Sequence, residues 1–277
     1  MKLNRLRGKL CISGLEHVIN PEDAAEANIK DKKHVEELNM KCGDNYKLNN
    51  RSESNVFEAL QPNSNLNRLY ISQYKGNSFP KWIRHCHLPN LVSLKLQSCG
   101  SCLHLPPLGH LPCLKELAIC DCDGIKIIGE EFHGNNSTNV PFLSLEVLKF
   151  VKMNNWEKWL CLEGFPLLKE LSIKSCPELR SALPQHLPSL QKLEIIDCEL
   201  LEASIPKGDS IIELVLQKCD SILINELPTS LKRFVFRENW YANFSVEQIL
   251  VNDTILLRVE VWFYRLCEMY LFGFALL

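Results

Sequence analysis

With 277 residues, 46% of them apolar and 23% charged, the chain has the make-up of a soluble globular protein, long enough for one large domain or two ordinary ones. Its 31 basic and 33 acidic residues nearly cancel, which excludes a general pull towards nucleic acid or an anionic membrane and leaves partner choice to local surface. Thirteen cysteines, an odd number spread along the chain, point to reduced thiols in a cytoplasmic setting, and the basic opening MKLNRLRGKLCISG is followed by no apolar stretch of signal-peptide length.

In chain order, the first predicted strand carries Leu10, Ile12 and Leu15, with Arg7 where a further leucine belongs. A helix is predicted next: Asn20 can cap it, Pro21 suits its first turn, and Glu22 and Asp23 favour its positive end. The basic run Lys30 to His34 reads as the solvated end of that helix, being too short and too poor in aromatics for a nucleic-acid patch. Two weak rungs follow, Val35, Leu38, Met40 with Gly43, then Leu66, Leu69, Ile71 with Tyr74.

From Leu91 onward the chain repeats itself. Leu91, Leu94, Leu96, Cys99 are matched by Leu114, Leu117, Ile119, Cys122; by Leu145, Leu148, Phe150, Met153; and by Leu168, Leu171, Ile173, Cys176. Three more follow: Leu190, Leu193, Ile195, Cys198; Ile211, Leu214, Leu216, Cys219; and Leu231, Phe234, Phe236, Asn239. The first positions, 91, 114, 145, 168, 190, 211 and 231, give steps of 23, 31, 23, 22, 21 and 20. L-x-x-L-x-L-x-x-N/C at roughly 20–29 residues is the leucine-rich-repeat signature. The 31-residue step holds the polar stretch Gly134 to Asn139, read as a surface loop.

Leucines alternating with other residues lie on one face of a short strand, and a lone strand cannot bury that face, so successive rungs must stack. The predicted fold is therefore an α/β solenoid: a leucine-rich-repeat horseshoe with a concave parallel β-sheet and mostly irregular convex returns. Pro89, Pro112, Pro166 and Pro188, each two residues before a rung's first leucine, are expected to favour an extended approach to the strand. The solenoid is assigned to residues 1–240, clearest over 66–240. Residues 241–277 are expected to be a degenerate last repeat, with Leu256, Val259, Val261 and Tyr264 in register, or an atypical tail. Arg258, Glu260, Arg265 and Glu268 interrupt the apolar ending and argue against a bilayer span.

Cys99-x-x-Cys102, near Cys120, Cys122, His104 and His110, has a zinc-like spacing. The register gives both cysteines a structural address instead: ninth position for Cys99, and for Cys102 the slot that holds Ile125, Trp156, Leu179, Leu201 and Ile222 in other rungs. Gly124 to Glu131 has a phosphate-loop spacing, but Glu130 and Glu131 stand where lysine and a hydroxyl residue belong. His85, Cys86 and His87 lack an orienting third residue for nucleophilic chemistry. With no catalytic motif in a suitable context, the chain is read as a non-enzyme without metal or cofactor.

Function is then expected on the concave face, where residues between the buried leucines are free to vary. The candidate partner-binding residues are Lys95 and Gln97, Ala118 and Cys120, Lys149 and Val151, Ser172 and Lys174, Glu194 and Ile196, Val215 and Gln217.

The segments FPKWI (79–83), LPNLVSLKLQSC (88–99), LPPLGHLPCLKELAICDCDGIKIIGEEFHG (105–134) and PFLSLEVLKFVKMNNWEKW (141–159) resemble the repeat region of plant coiled-coil, nucleotide-binding, leucine-rich-repeat disease-resistance proteins. Residues 8–38 resemble the segment where that family's repeats begin. The resemblance implies innate-immune recognition of a pathogen effector, or of a host protein the effector modifies, and restraint of a nucleotide-binding switch. ADP or ATP would bind in an upstream domain, since no phosphate loop or coiled-coil heptad occurs here. The alternative is a cytosolic repeat scaffold, such as the substrate-binding part of a ubiquitin-ligase adaptor.

Overall fold

The computed structural model describes residues 6–43, 50–85, 88–134, 140–160, 163–181, 183–206, 209–224, 226–239 and 258–262, with backbone only at 50–53 and 258–262. Its frame is one parallel sheet of eleven strands: β1 (Gly8–Ser13), β2 (Val35–Lys41), β3 (Arg68–Ser72), β4 (Ser93–Gln97), β5 (Glu116–Cys120), β7 (Val147–Val151), β9 (Glu170–Lys174), β10 (Lys192–Ile196), β12 (Glu213–Gln217), β14 (Arg233–Arg237) and β15 (Arg258–Trp262). Sheet order follows chain order throughout, as stacked turns of a leucine-rich-repeat solenoid require. The register aligns the repeat positions: Leu94, Leu117, Leu148, Leu171, Leu193 and Leu214 stand side by side.

Each turn of the solenoid is made from three local devices. The first is a tight turn, closed by bonds such as Leu91 N–H to Leu88 C=O and Leu190 N–H to Leu187 C=O. Pro89, Pro112, Pro166 and Pro188 occupy the second place of these turns, where a fixed φ is favourable, so they shape a turn and not the extended approach expected from sequence. The serine before several first leucines ties its turn to the previous one: Ser144, Ser189 and Ser210 Oγ donate to the carbonyls of Pro112, Pro166 and Pro188 at 2.6, 2.8 and 3.1 Å.

The second device is a left-handed residue at the eighth position: Gln73, Ser98, Asp121, Lys152, Ser175, Asp197, Lys218 and Glu238 all have φ between 52° and 59°. None is glycine, although this region disfavours residues with a Cβ. From Gln73 to Lys218 the conformation aims each N–H at the next strand, with bonds such as Ser98 to Cys120 and Asp197 to Gln217, both 2.9 Å, which compensates the strain.

The third device is the ninth-position turn, closed by bonds such as Cys102 N–H to Cys99 C=O and Leu179 N–H to Cys176 C=O. It points the twelfth-position side chain inward, so Cys102, Ile125, Trp156, Leu179, Leu201 and Ile222 are buried. At Gly124, between these two positions, a Cβ would stand 2.4 Å from the carbonyl oxygens of Gly100 and Cys102.

The returns are short pieces. Two pairs of two-residue strands, β6 (Ile127–Ile128) with β8 (Lys158–Trp159) and β11 (Ala203–Ser204) with β13 (Ile222–Leu223), line part of the far side, with 3-10 turns at Leu108–His110 and Glu130–Phe132. Of residues 134–139, positions 135–139 lie outside the described part. Helix α1 (Pro21–Glu26) starts as expected, Asn20 Oδ1 accepting from Glu22 N–H, but it ends early. Lys30 belongs to a separate 3-10 turn and Lys32 is buried, so this run is not the end of α1, although Lys30, Asp31, Lys33 and His34 are solvated as expected. Helices α2 (Asn50–Ala59) and α3 (Lys81–Arg84) had no counterpart in the sequence reading. They dock by Val56, Phe57, Leu60, Trp82 and Ile83, and Trp82 Nε1–H donates to Phe57 C=O at 2.9 Å.

One continuous apolar core runs the length of the stack. Its middle is aromatic: Phe150 lies 4.6 Å from Trp156 and 5.5 Å from Trp159, and Trp159 leads through Phe165 to Phe142 and Phe132. Among the described residues, no helix is long and apolar enough to cross a membrane.

Candidate functional site

The sheet face turned away from the core is built from the third, fifth and seventh positions of each rung. Alternation along a strand sends the fourth and sixth residues into the core and these three to the opposite side. Because strand register is unbroken from β2 to β15, with one irregularity at Gly8/Lys9 in β1, they form three straight rows.

All twelve sequence-chosen residues fall on this face. The fifth-position row includes Lys95, Ala118, Lys149, Ser172, Glu194 and Val215, and the seventh-position row Gln97, Cys120, Val151, Lys174, Ile196 and Gln217. Their exposure is uneven. Lys95 is open to solvent, while Ser172 and Val215 are buried at 1% and 7% exposure and offer a partner almost nothing. The sequence reading also omitted the third-position row, which contains Glu37, Arg68, Glu116, Glu170, Lys192, Glu213 and Arg233. Its alternating charges, two residues ahead of each fifth position, were the available signal.

The lysines differ in their surroundings. Lys149 pairs with Glu170 and Lys174 with Glu194, each at 2.9 Å. Glu213 sits between Lys192, at 3.5 Å, and Arg233. Lys218 bridges Asp197 and Glu238 at 3.4 and 3.7 Å. Burial works to raise the Glu194 carboxyl, but the Lys174 ammonium, helped by Lys192 and the Ser172 hydroxyl, outweighs it and holds the group below the usual carboxylate range. From β7 to β14 the face is therefore largely charge-compensated from within.

Over β1 to β4 the arrangement is different. Lys9 binds Glu37 at 2.7 Å, whereas Arg68 and Lys95 have no carboxylate within ion-pair distance among the described residues. Lys95 Nζ instead lies 5.1 Å from the centre of the Tyr70 ring, whose hydroxyl donates to Gln97 Oε1 at 2.8 Å.

The ninth-position thiols lie in the interior. Cys99, Cys122, Cys176, Cys198 and Cys219 are buried, and each Sγ points to the main-chain carbonyl two residues earlier at 3.1–3.5 Å. Hydrogen bonding with Cys198 and burial push the Cys176 and Cys219 thiols up, away from the reactive thiolate form. Asn239 continues this line, its Oδ1 accepting from Cys219 N–H at 2.7 Å and its Nδ2–H donating to Leu216 C=O at 3.1 Å. Cys99 and Cys102 are thus interior spacers, and among the described residues no group of three or more histidines, cysteines or carboxylates is placed to hold a metal. Ile127 and Ile128, within Gly124 to Glu131, form strand β6. Cys86 and His87 lie outside the described residues, and His85 is exposed.

Comparison with known proteins places these features. Residues 1–122 match the family model described as R13L1/DRL21 LRRs. The putative disease resistance RPP13-like protein 1 of Arabidopsis thaliana is 39% identical over 218 residues, covering 72% of this chain and 21% of that protein. The chain belongs with the leucine-rich-repeat regions of plant disease-resistance proteins.

The putative disease resistance protein At3g14460 of the same plant is 36% identical, covering 73% of this chain and 15% of that protein. Disease resistance protein RGA2 of Solanum bulbocastanum is 32% identical, covering 82% and 24%. This plant defence repeat chain spans about a fifth of the length of the curated relatives it matches. Among solved structures, the crystal structure of the TLR13-ssRNA13 complex superposes with a TM-score of 0.41 at 15% identity, covering 84% of this chain and 39% of that one, too loosely to bear on function.

Proposed function

We propose that this chain is a protein-recognition module of plant innate immunity, acting in the cytoplasm and binding a pathogen effector, or a host protein that an effector modifies, through the concave sheet face. In an intact receptor the same repeats would restrain a nucleotide-binding switch, with ADP or ATP held in another domain and no cofactor in this one. One observation carries the reading. The core positions repeat almost unchanged from rung to rung, while the aligned rows on the open face vary in charge, size and polarity, as a surface selected for a particular protein would. The names of the relatives favour immune recognition over the ubiquitin-ligase scaffold.

The test compares two triple variants of the full chain with equal charge change, K95E/V151E/I196E on the concave face and K158E/L160E/L223E on the exposed returns. Proteins co-precipitated from pathogen-challenged leaf tissue are quantified by mass spectrometry, after circular dichroism and melting show both variants folded. The concave variant loses partners that the return-side variant keeps. The same captured set from both would sink the proposal. Reversing Lys149 or Lys174 makes a poorer probe, since it also sets two carboxylates against one another.

A further inference from the structure

We infer that the partner is seated at the N-terminal end of the concave face, over β2 to β4, by an acidic peptide segment held against Arg68, Tyr70 and Lys95. The inference rests on the concave-face reading and moves the contact to one end of that face, where only Lys95 and Gln97 of the twelve residues lie.

Its first support is the distribution of ion pairs. Between β7 and β14, Lys149, Lys174, Lys192, Lys218 and Arg233 each have a carboxylate within ion-pair distance. A partner carboxylate arriving there must displace a partner already in place, and the exchange yields little net attraction. Arg68 and Lys95 offer an unspent charge, since the nearest acidic residues on the rows they occupy are Glu37, committed to Lys9, and Glu116, one strand beyond.

The second support is shape. Arg68, Tyr70, Ser93 and Lys95 line, with Asn39, Glu37 and its partner Lys9, a shallow depression of about 310 Å³ on four neighbouring strands. Neighbouring strands lie about 4.8 Å apart, so groups on three successive strands fall within the reach of three or four residues of an extended peptide, which rises about 3.3 Å per residue. Tyr70 is half-buried and fixed by its bond to Gln97, so it supplies a rigid apolar floor at small entropic cost.

The third support is an unmet hydrogen bond. Asn39 Oδ1, in the same depression, is shielded from solvent and has no hydrogen-bond partner among the described residues. A peptide N–H reaching it would satisfy an acceptor that is costly to leave bare. Cations that want an oxygen and an amide that wants a donor together describe an acidic segment of polypeptide, and fit neither a bare anion nor a lipid surface.

Fluorescein-labelled decaglutamate, with decalysine as control, serves as the probe for anisotropy titrations of the full chain. The variants R68Q/K95Q and K149Q/K174Q remove the same net charge, so any difference between them is local. R68Q/K95Q is expected to weaken decaglutamate binding by about tenfold or more and K149Q/K174Q by less than about threefold, with affinity falling as salt rises. Should R68Q/K95Q lose its fold by circular dichroism, K95Q alone carries the comparison. Equal weakening by both doubles, or no preference for glutamate over lysine in the wild type, overturns the inference. Either result leaves the concave-face reading to its own capture test, which fails only when the concave triple variant retains its partners.

Discussion

Phe150 stands where neighbouring rungs carry Leu96, Ile119, Ile173 and Ile195, and its ring is fully buried against Trp156 and Trp159. A buried aromatic removes roughly 150–250 Å² from water, which at ~25 cal/mol/Å² gives an upper value near 4–6 kcal/mol. Alanine keeps part of that burial but forfeits two ring contacts of about 0.5–1.5 kcal/mol each and leaves a cavity that two rigid indoles cannot readily fill. Phe150→Ala is therefore expected to cost about 4 kcal/mol, and Phe150→Leu, which restores the residue other rungs use, about 1.5 kcal/mol. Urea denaturation followed by tryptophan fluorescence measures both, through a lower midpoint at unchanged slope. A loss below about 1 kcal/mol for the alanine variant would refute the reasoning, because it would mean the indoles collapse into the space and the aromatic cluster is not a fixed packing unit.

Asn239→Ala orphans the Cys219 N–H and the Leu216 C=O together, for a loss of about 3 kcal/mol and faster hydrogen exchange at Cys219; unchanged exchange would show that water replaces the amide. Burial among Phe132, Phe142 and Phe165 lowers His133 from 6.5 to about 4. The unfolded chain then binds a proton that the folded chain refuses, so the stability this histidine contributes is complete above pH 6.5 and lost as pH falls towards 4. With the ring only half-buried, this amounts to the order of 1 kcal/mol, and His133→Phe should flatten the acid limb of a melting-temperature profile. Among the described thiols, mass-mapped alkylation of the native chain should modify Cys11 and Cys113 first and reach Cys99, Cys122, Cys176, Cys198 and Cys219 only on unfolding; early labelling of this second group would contradict their interior placement.

The cysteine pair Cys99-x-x-Cys102 shows how far pattern reading carried. Spacing alone suggested a metal, yet comparison with six other rungs placed both residues inside, which is where they are. The same comparison located the strands and all twelve concave residues, because one side chain in two faces the core and the repeat averages out local noise. What it could not show is which side chain touches which. Ser172 and Val215 have the same alternation as Lys95, and only the neighbours on adjacent strands decide that they are covered.

The sequence by itself determined the architecture: a 20–31-residue period with leucines on alternate positions has no stable form except a stack of parallel strands, each covering the next. Tertiary structure alone decided three things. It turned the prolines into the second residues of tight turns, since turn closure depends on where the following N–H points. It placed left-handed, non-glycine residues at every eighth position from Gln73 to Glu238, a strain offset as far as Lys218 by bonds to strands some 20–30 residues away. Finally, it sorted the concave cations into paired and unpaired sets, because ion pairing depends on distances across strands, and these exist only once the rungs are in register.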